Sequence, residues 1–101
     1  MTASPTFTIS VGLESPELTV DQCRANALWL AAQCFPAGHT ITEATGRWES
    51  PQRGLIDEPT LVVTVIGDVR QAALQFASSY KQICSQDSVL VQVTHPETLW
   101  V

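Results

Sequence analysis

The feature that most constrains this chain is a repeated coupling, in which an extended apolar stretch runs twice through a short polar turn into an amphipathic helical stretch. Residues 7 to 13, FTISVGL, alternate strictly, with Phe7, Ile9, Val11 and Leu13 on one side and Thr8, Ser10 and Gly12 on the other. A period of two predicts a half-buried strand. After an SPE turn, Thr19 and Gln22 stand three residues apart, the pattern in which two side chains satisfy the orphan amides of a helix start. Leu18 before that cap and Cys23 after it suit the accompanying hydrophobic staple. Val20, Cys23, Ala27, Leu30, Ala31 and Cys34 then recur at helical spacing until Pro36 and Gly38, so a first helix is expected from about residue 20 to 34.

The second coupling starts at residues 60 to 66, TLVVTVI, a nearly continuous apolar run of the kind found when both faces of a strand are covered. Gly67 and Asp68 are expected to cap a second helix with Val69, Ala72, Ala73, Phe76, Tyr80 and Ile83 as its stripe, ending near Ser85. Between the couplings, residues 40 to 48, TITEATGRW, read as a strand with Thr42, Ala44, Gly46 and Trp48 on one face. Gly46 there leaves room for a bulge or for close approach of another backbone. Residues 49 to 59, ESPQRGLIDEP, hold two prolines and a glycine and are expected as a charged loop or an extended hairpin tip. Residues 88 to 94, SVLVQVT, alternate again and supply a last strand.

Strand, helix, strand, strand, helix, strand is the order of an α+β, ferredoxin-like βαββαβ sandwich, an antiparallel four-stranded sheet with two helices on one face. A length of 101 residues suits one such domain, 1–101, with residues 1–5 as a flexible N-terminus and 95–101 as a C-terminal tail. The other sheet face is left open, and Trp48, Val62, Thr64, Ile66 and Leu90 would make it a sizeable apolar patch. Such patches mark partner surfaces, so a homo-oligomer, dimer or trimer, is expected through that face.

Charge narrows the partners. With a net charge of -5 and five scattered basic residues, the chain offers no patch to neutralise a run of phosphates, so no nucleic acid is expected. The same scarcity argues against anionic membrane surfaces, and no apolar run approaches the roughly 18 to 20 residues of a spanning helix. MTASPT has no basic region leading into an apolar one, and three cysteines without CxxC spacing fit a reducing compartment, so the cytoplasm is expected. Cys23, Cys34 and Cys84 fall on apolar sides of the expected helices, as small packing residues do.

No Gly-rich phosphate loop, HExxH, nucleophile elbow or CxxC pair is present, and neither a metal nor a cofactor is expected. His39 and His95 have the chemistry of a general base or ligand, but two lone loop histidines carry little weight beside backbone hydrogen bonding. Arg47, Glu49, Arg53, Asp57 and Glu58 crowd into twelve residues of a sparsely charged chain. The guanidinium forks of Arg47 and Arg53 suit a carboxylate or phosphate, against the plainer reading of a solvated tip with weak ion pairs. Trp29, on the polar side of the first helix, either meets a partner or lies under the tail that carries Trp100. Tyr80 reads as a core residue whose hydroxyl reaches an edge, with catalytic acid as the lesser alternative.

Residues 35 to 48 (FPAGHTITEATGRW), 54 to 63 (GLIDEPTLVV) and 79 to 90 (SYKQICSQDSVL) resemble the bacterial family known as domain of unknown function 3574. Its pattern runs F-P-x-G-x-T, A-x-G-x-W, G-x-x-x-E-P-T and then Y-K with Q-x-S-V-L. Ile83-Cys84, where an aromatic often precedes the glutamine, and the missing export signal are departures from it. The resemblance names no activity but singles out Gly46, Trp48, Glu58, Pro59, Thr60, Gln86 and Ser88. More loosely, the element order is similar to that of PII signal proteins and the CutA family, both trimers, and in PII-like proteins the loop between the middle strands and the subunit clefts bind nucleotides and small anions.

The reading this supports is an oligomeric, non-catalytic module binding a nucleotide or small anion through Gly46, Arg47, Trp48, Arg53 and Glu58. The alternatives are a small cofactor-free dimeric enzyme, with His39, Tyr80 or Glu43 in proton transfer, and a structural protein-interaction domain.

Overall fold

A computed structural model describes residues 4–101; most of the N-terminal stretch expected to be flexible, residues 1–3, lies outside the described residues. The elements are β1 (Thr6–Gly12), α1 (Val20–Cys34), β2 (Thr40–Ser50), β3 (Gly54–Ile66), α2 (Arg70–Ile83) and β4 (Leu90–Thr94). They form one sheet in the order β2-β3-β1-β4, with every neighbouring pair antiparallel. This is the α+β, βαββαβ ferredoxin-like arrangement that the patterning predicts.

Alternation assigns the faces. Phe7, Ile9, Val11, Leu61, Val63 and Val65 point from the central strands β1 and β3 to the helices and are buried. Against them α1 sets Cys23, Ala27, Leu30 and Ala31, and α2 sets Ala73, Phe76, Ala77 and Tyr80. The helix starts differ. At α1 the Thr19 hydroxyl accepts from the Gln22 amide and the Gln22 side chain accepts from the Thr19 amide, the reciprocal box expected there. At α2 the N-cap is Val69 without a side-chain cap, so the capping role expected of Asp68 is not taken up. Ile83, expected on the buried stripe, is substantially exposed, and Ala77 takes the inward position.

The middle of the chain is more regular than its composition suggests. Of the two forms expected over 49–59, a charged loop or an extended hairpin tip, it is the hairpin that forms: β2 and β3 pair without a break from Thr40↔Thr64 to Ser50↔Gly54, leaving only residues 51–53 as the turn. Pro51 starts the turn, where no ladder amide is needed, and Gly54 takes the positive φ of 73° that closes it. Pro59 sits inside β3 because its edge lies at the end of β1, where its carbonyl accepts from the Leu13 amide and its missing N–H removes no other pairing. Since β1 stops at Gly12↔Thr60, the outer half of the hairpin projects as a two-stranded arm, and the chain measures 47 Å along its long axis.

Candidate functional site

The open face of the sheet carries Ser10 and Gly12 of β1, Ala44, Gly46 and Trp48 of β2, Glu58, Thr60 and Val62 of β3, and Leu90 of β4. Together with Ser88 these side chains line a hollow of about 340 Å³ where the arm leaves the body, within the size range of small-molecule sites. Register explains its shape. Gly12 lies opposite Thr60 and Gly46 opposite Glu58, so each of two adjacent same-face positions on β3 has a glycine across from it or one step diagonal to it.

Both glycines are filled by side chains from β3. A Cβ on Gly12 would stand 2.2 Å from Glu58 Oε1, and one on Gly46 would stand 2.6 Å from Thr60 Oγ1. Gly46 therefore accommodates a threonine side chain, and the unbroken register shows no bulge there. Folding the Glu58 carboxylate down onto Gly12 leaves it 5% exposed, the one buried charged residue among those described.

Its two oxygens have different surroundings. Oε2 accepts from the Glu14 amide at 3.2 Å, while Oε1 has no hydrogen-bond partner among the described residues. No fully buried side-chain oxygen of the described residues lacks a partner, so Oε1 is not wholly sealed off, and it lies over Gly12, which with Glu58 lines the hollow. Burial pushes the Glu58 carboxyl above its ordinary range, against the Glu14 amide that favours the anion; nearby Glu14 raises it further and Arg53 opposes.

Beneath the sheet, the Tyr80 hydroxyl donates to the Gly12 carbonyl from the helix side, as expected of a core tyrosine with a satisfied hydroxyl. Burial first, then the adjoining Cys84 and Cys23 thiols, hold its pKa far above the usual tyrosine value, so it remains a donor throughout the ordinary pH range. Burial also pushes the Cys84 thiol up to about 12 and raises Cys34, which fits packing cysteines rather than nucleophiles. On the rim, Gln86 Nε2 donates to the Glu14 carbonyl at 2.7 Å and ties the start of the β4 segment to the end of β1.

Of the five residues singled out as a ligand site, Gly46, Trp48 and Glu58 meet in the hollow. The two arginines are placed differently. Arg47 borders the hollow, but its alternate position on β2 turns the side chain to the opposite face, where Asp57 takes it in a bidentate pair at 2.6 and 3.0 Å. That pair raises the Arg47 pKa and lowers that of Asp57. Arg53, at the turn, lies 4.0 Å from Glu14. The residues that charge crowding did not suggest are Gly12, Ser10 and Ser88; the family resemblance singles out Ser88, while Ser10 and Gly12 show only as part of the alternation of β1.

Elsewhere, His39 Nδ1 sits 3.0 Å from the Phe35 carbonyl, the backbone-bonded loop histidine that was the plainer reading. It borders a second hollow, of about 380 Å³, with Pro36, Val69 and Trp100 of the tail. Trp29 is 60% exposed, so the tail does not cover it. Among the described residues no group of three metal-ligating side chains comes together, and no helix is long and apolar enough to cross a membrane.

Comparison with known proteins agrees with this arrangement. The profile of a family described as protein of unknown function, DUF3574, matches residues 25–99. The chain belongs to this family. No curated protein matches it. Among solved structures, a phage SAM lyase in complex with S-methyl-5'-thioadenosine superposes with a TM-score of 0.68 at 16% identity, over 91% of this chain and 81% of the lyase. CutA from Synechococcus elongatus PCC7942 gives 0.58 at 14%, over 95% of this chain and 79% of CutA. A DUF3240 family protein from Shewanella baltica OS155 gives 0.59 at 7%, over 100% and 98%. At such identities the likeness establishes a shared ferredoxin-like fold, including that of the CutA family.

Proposed function

We propose that this DUF3574 member is a homo-oligomeric module that binds a small molecule in the hollow around Glu58, with copies joined through the open sheet face. The observation that carries the reading is convergence. Gly46, Trp48, Glu58, Thr60 and Ser88, spread over 43 positions from first to last, line one hollow, and a carboxylate is buried there without a stabilising cation in contact. A fold needs no such group, and burying a charge is costly, so its retention points to a ligand.

Oligomerisation is supported by the face itself. Ile66 and Leu90 are about half exposed and Trp48 is 43% exposed on one side of a sheet whose central strands are packed against the helices on the other. The projecting arm adds to this, since a two-stranded ribbon without a third strand or a helix is marginal in water. The three free cysteines suit a reducing compartment, which supports the cytoplasm as its location.

The ligand chemistry follows from the lining. A carboxylate, the hydroxyls of Ser10, Thr60 and Ser88, and the indole of Trp48 suit the base and sugar of a nucleoside better than a phosphate, because the Arg47 guanidinium is engaged on the other face. The nucleoside in the phage lyase complex supports the same class. Titrating the purified protein with adenosine, S-methyl-5'-thioadenosine and adenosine monophosphate while following melting temperature, alongside light scattering for mass, tests both parts. Saturable stabilisation by the nucleosides in an oligomer is the expected result; a monomer unaffected by all three would overturn it.

A second reading has its own support. A buried carboxyl whose pKa is raised by its surroundings is suited to proton transfer, and the phage lyase shows that this fold can host an enzyme. Turnover of an added S-adenosylmethionine sample, followed by chromatography, would favour that reading over binding alone.

A further inference from the structure

We infer that the hollow around Glu58 selects a small organic cation with a weakly hydrated head, such as a quaternary ammonium group. This rests on the binding role proposed above and names the charge of the ligand. The first support is a carboxylate without a contacting cation: Glu58 is 5% exposed, its Oε2 is satisfied by the Glu14 amide, and its Oε1, over Gly12 in the lining of the hollow, has no partner among the described residues. Neither cation nearest in sequence touches it: Arg47 is held by Asp57 on the opposite face, and Arg53, at the turn and 4.0 Å from Glu14, favours the anion only from a distance.

The second support is the wall. Trp48 lies on the same face two positions along β2 from Gly46, the residue opposite Glu58, which sets the indole diagonal to the carboxylate. An aromatic face beside a carboxylate attracts a cation from two sides. Val62 and Leu90 supply apolar lining that a primary ammonium, strongly hydrated, would have to displace water to meet. A methylated head carries little bound water and suits that lining, and a chain of net charge -5 attracts cations in general.

The experiment uses choline and its uncharged isostere 3,3-dimethyl-1-butanol, titrated into the full chain while the carboxyl of Glu58 and the indole of Trp48 are followed by NMR. Choline is expected to bind about tenfold more tightly than the isostere and to shift both groups. Glu58→Gln, which retains the shape of the side chain, is expected to abolish that preference, and Trp48→Leu to reduce it. Equal binding of the two compounds, or a preference that survives Glu58→Gln, overturns the cation selection; adenosine titrated in the same samples then tells whether the hollow still binds a ligand. If none of the three compounds perturbs the hollow, both the selection and the binding role fall.

Discussion

The two faces of this sheet are built from the same four strands and have opposite chemistry. Toward the helices, Phe7, Ile9, Val11, Leu61, Val63 and Val65 are all nearly inaccessible, and the Tyr80 hydroxyl that reaches this layer is satisfied by the Gly12 carbonyl. Toward the open side, threonines, serines and isolated apolar residues alternate with two glycines, and a carboxylate is buried where a fold alone would place a small neutral residue. The helix side answers to packing, which is why its residues are interchangeable in kind. The open side answers to shape and charge at particular positions, and Gly46, Trp48, Glu58, Thr60 and Ser88 of the family pattern stand among them.

Substitutions on the packed face should therefore cost the most stability and say the least about function. Phe76→Ala would leave a cavity among Phe35, Tyr80 and the sheet and is expected to destabilise by about 3–5 kcal/mol in chemical denaturation. Gly12→Ala lies at the junction of the faces. Its new Cβ would overlap Glu58 Oε1, so the carboxylate must leave its seat, with a loss of about 1–3 kcal/mol and of ligand binding together. Tyr80→Phe leaves a buried carbonyl without its donor at a cost of about 1–3 kcal/mol, again by denaturation. If Gly12→Ala lowered stability but left nucleoside binding unchanged, the open-face hollow would be part of the scaffold and the contrast between faces would collapse.

Much of this contrast was legible in the sequence, and its limits have physical causes. The period-two pattern of residues 7 to 13 and the reciprocal Thr19–Gln22 cap are local signals, and both the strand and the helix follow them closely. The outer hairpin could be told from a charged loop only by pairing, because Pro51, Gly54 and Pro59 are breakers by composition; what makes it strand is an eleven-residue cross-strand ladder, which depends on register that no local window contains. The site was half legible for the same reason. Charge crowding drew attention to Arg47 and Glu58 equally, but adjacent parity on antiparallel strands sends Arg47 to Asp57 on one face and Glu58 onto Gly12 on the other. Gly12 carries no signal of its own, since its role exists only once β3 is laid beside β1.

Glu58→Gln sharpens the comparison through pH. Burial raises the Glu58 pKa above its unfolded value, so the protonated form contributes stability that is fully present below the unfolded pKa and is lost as pH rises through the folded one. Glu14 and Arg53, the charged groups that act on it, pull in opposite directions and leave burial in control. The glutamine variant does not titrate, so at neutral pH it is expected to be as stable as the parent or more so, by no more than about 1 kcal/mol, with the difference shrinking as pH falls through the carboxylate range. Thermal melts of the two proteins across that range measure it, and a variant markedly less stable than the parent at neutral pH would mean that the carboxylate is a structural partner after all.

Arg47→Ala is the smallest expected effect and tests the other side of the same β2–β3 arm. Both members of its pair with Asp57 are largely exposed, so the Coulomb gain is screened by solvent and no measurable change in melting temperature is expected. Ligand binding in the Glu58 hollow should also be unaffected, because the guanidinium stands on the far face. A clear loss of binding in Arg47→Ala, measured in the same titration as the parent, would show that the side chain crosses to the open face when a ligand or a second copy arrives, and the assignment of recognition to one face alone would have to be given up.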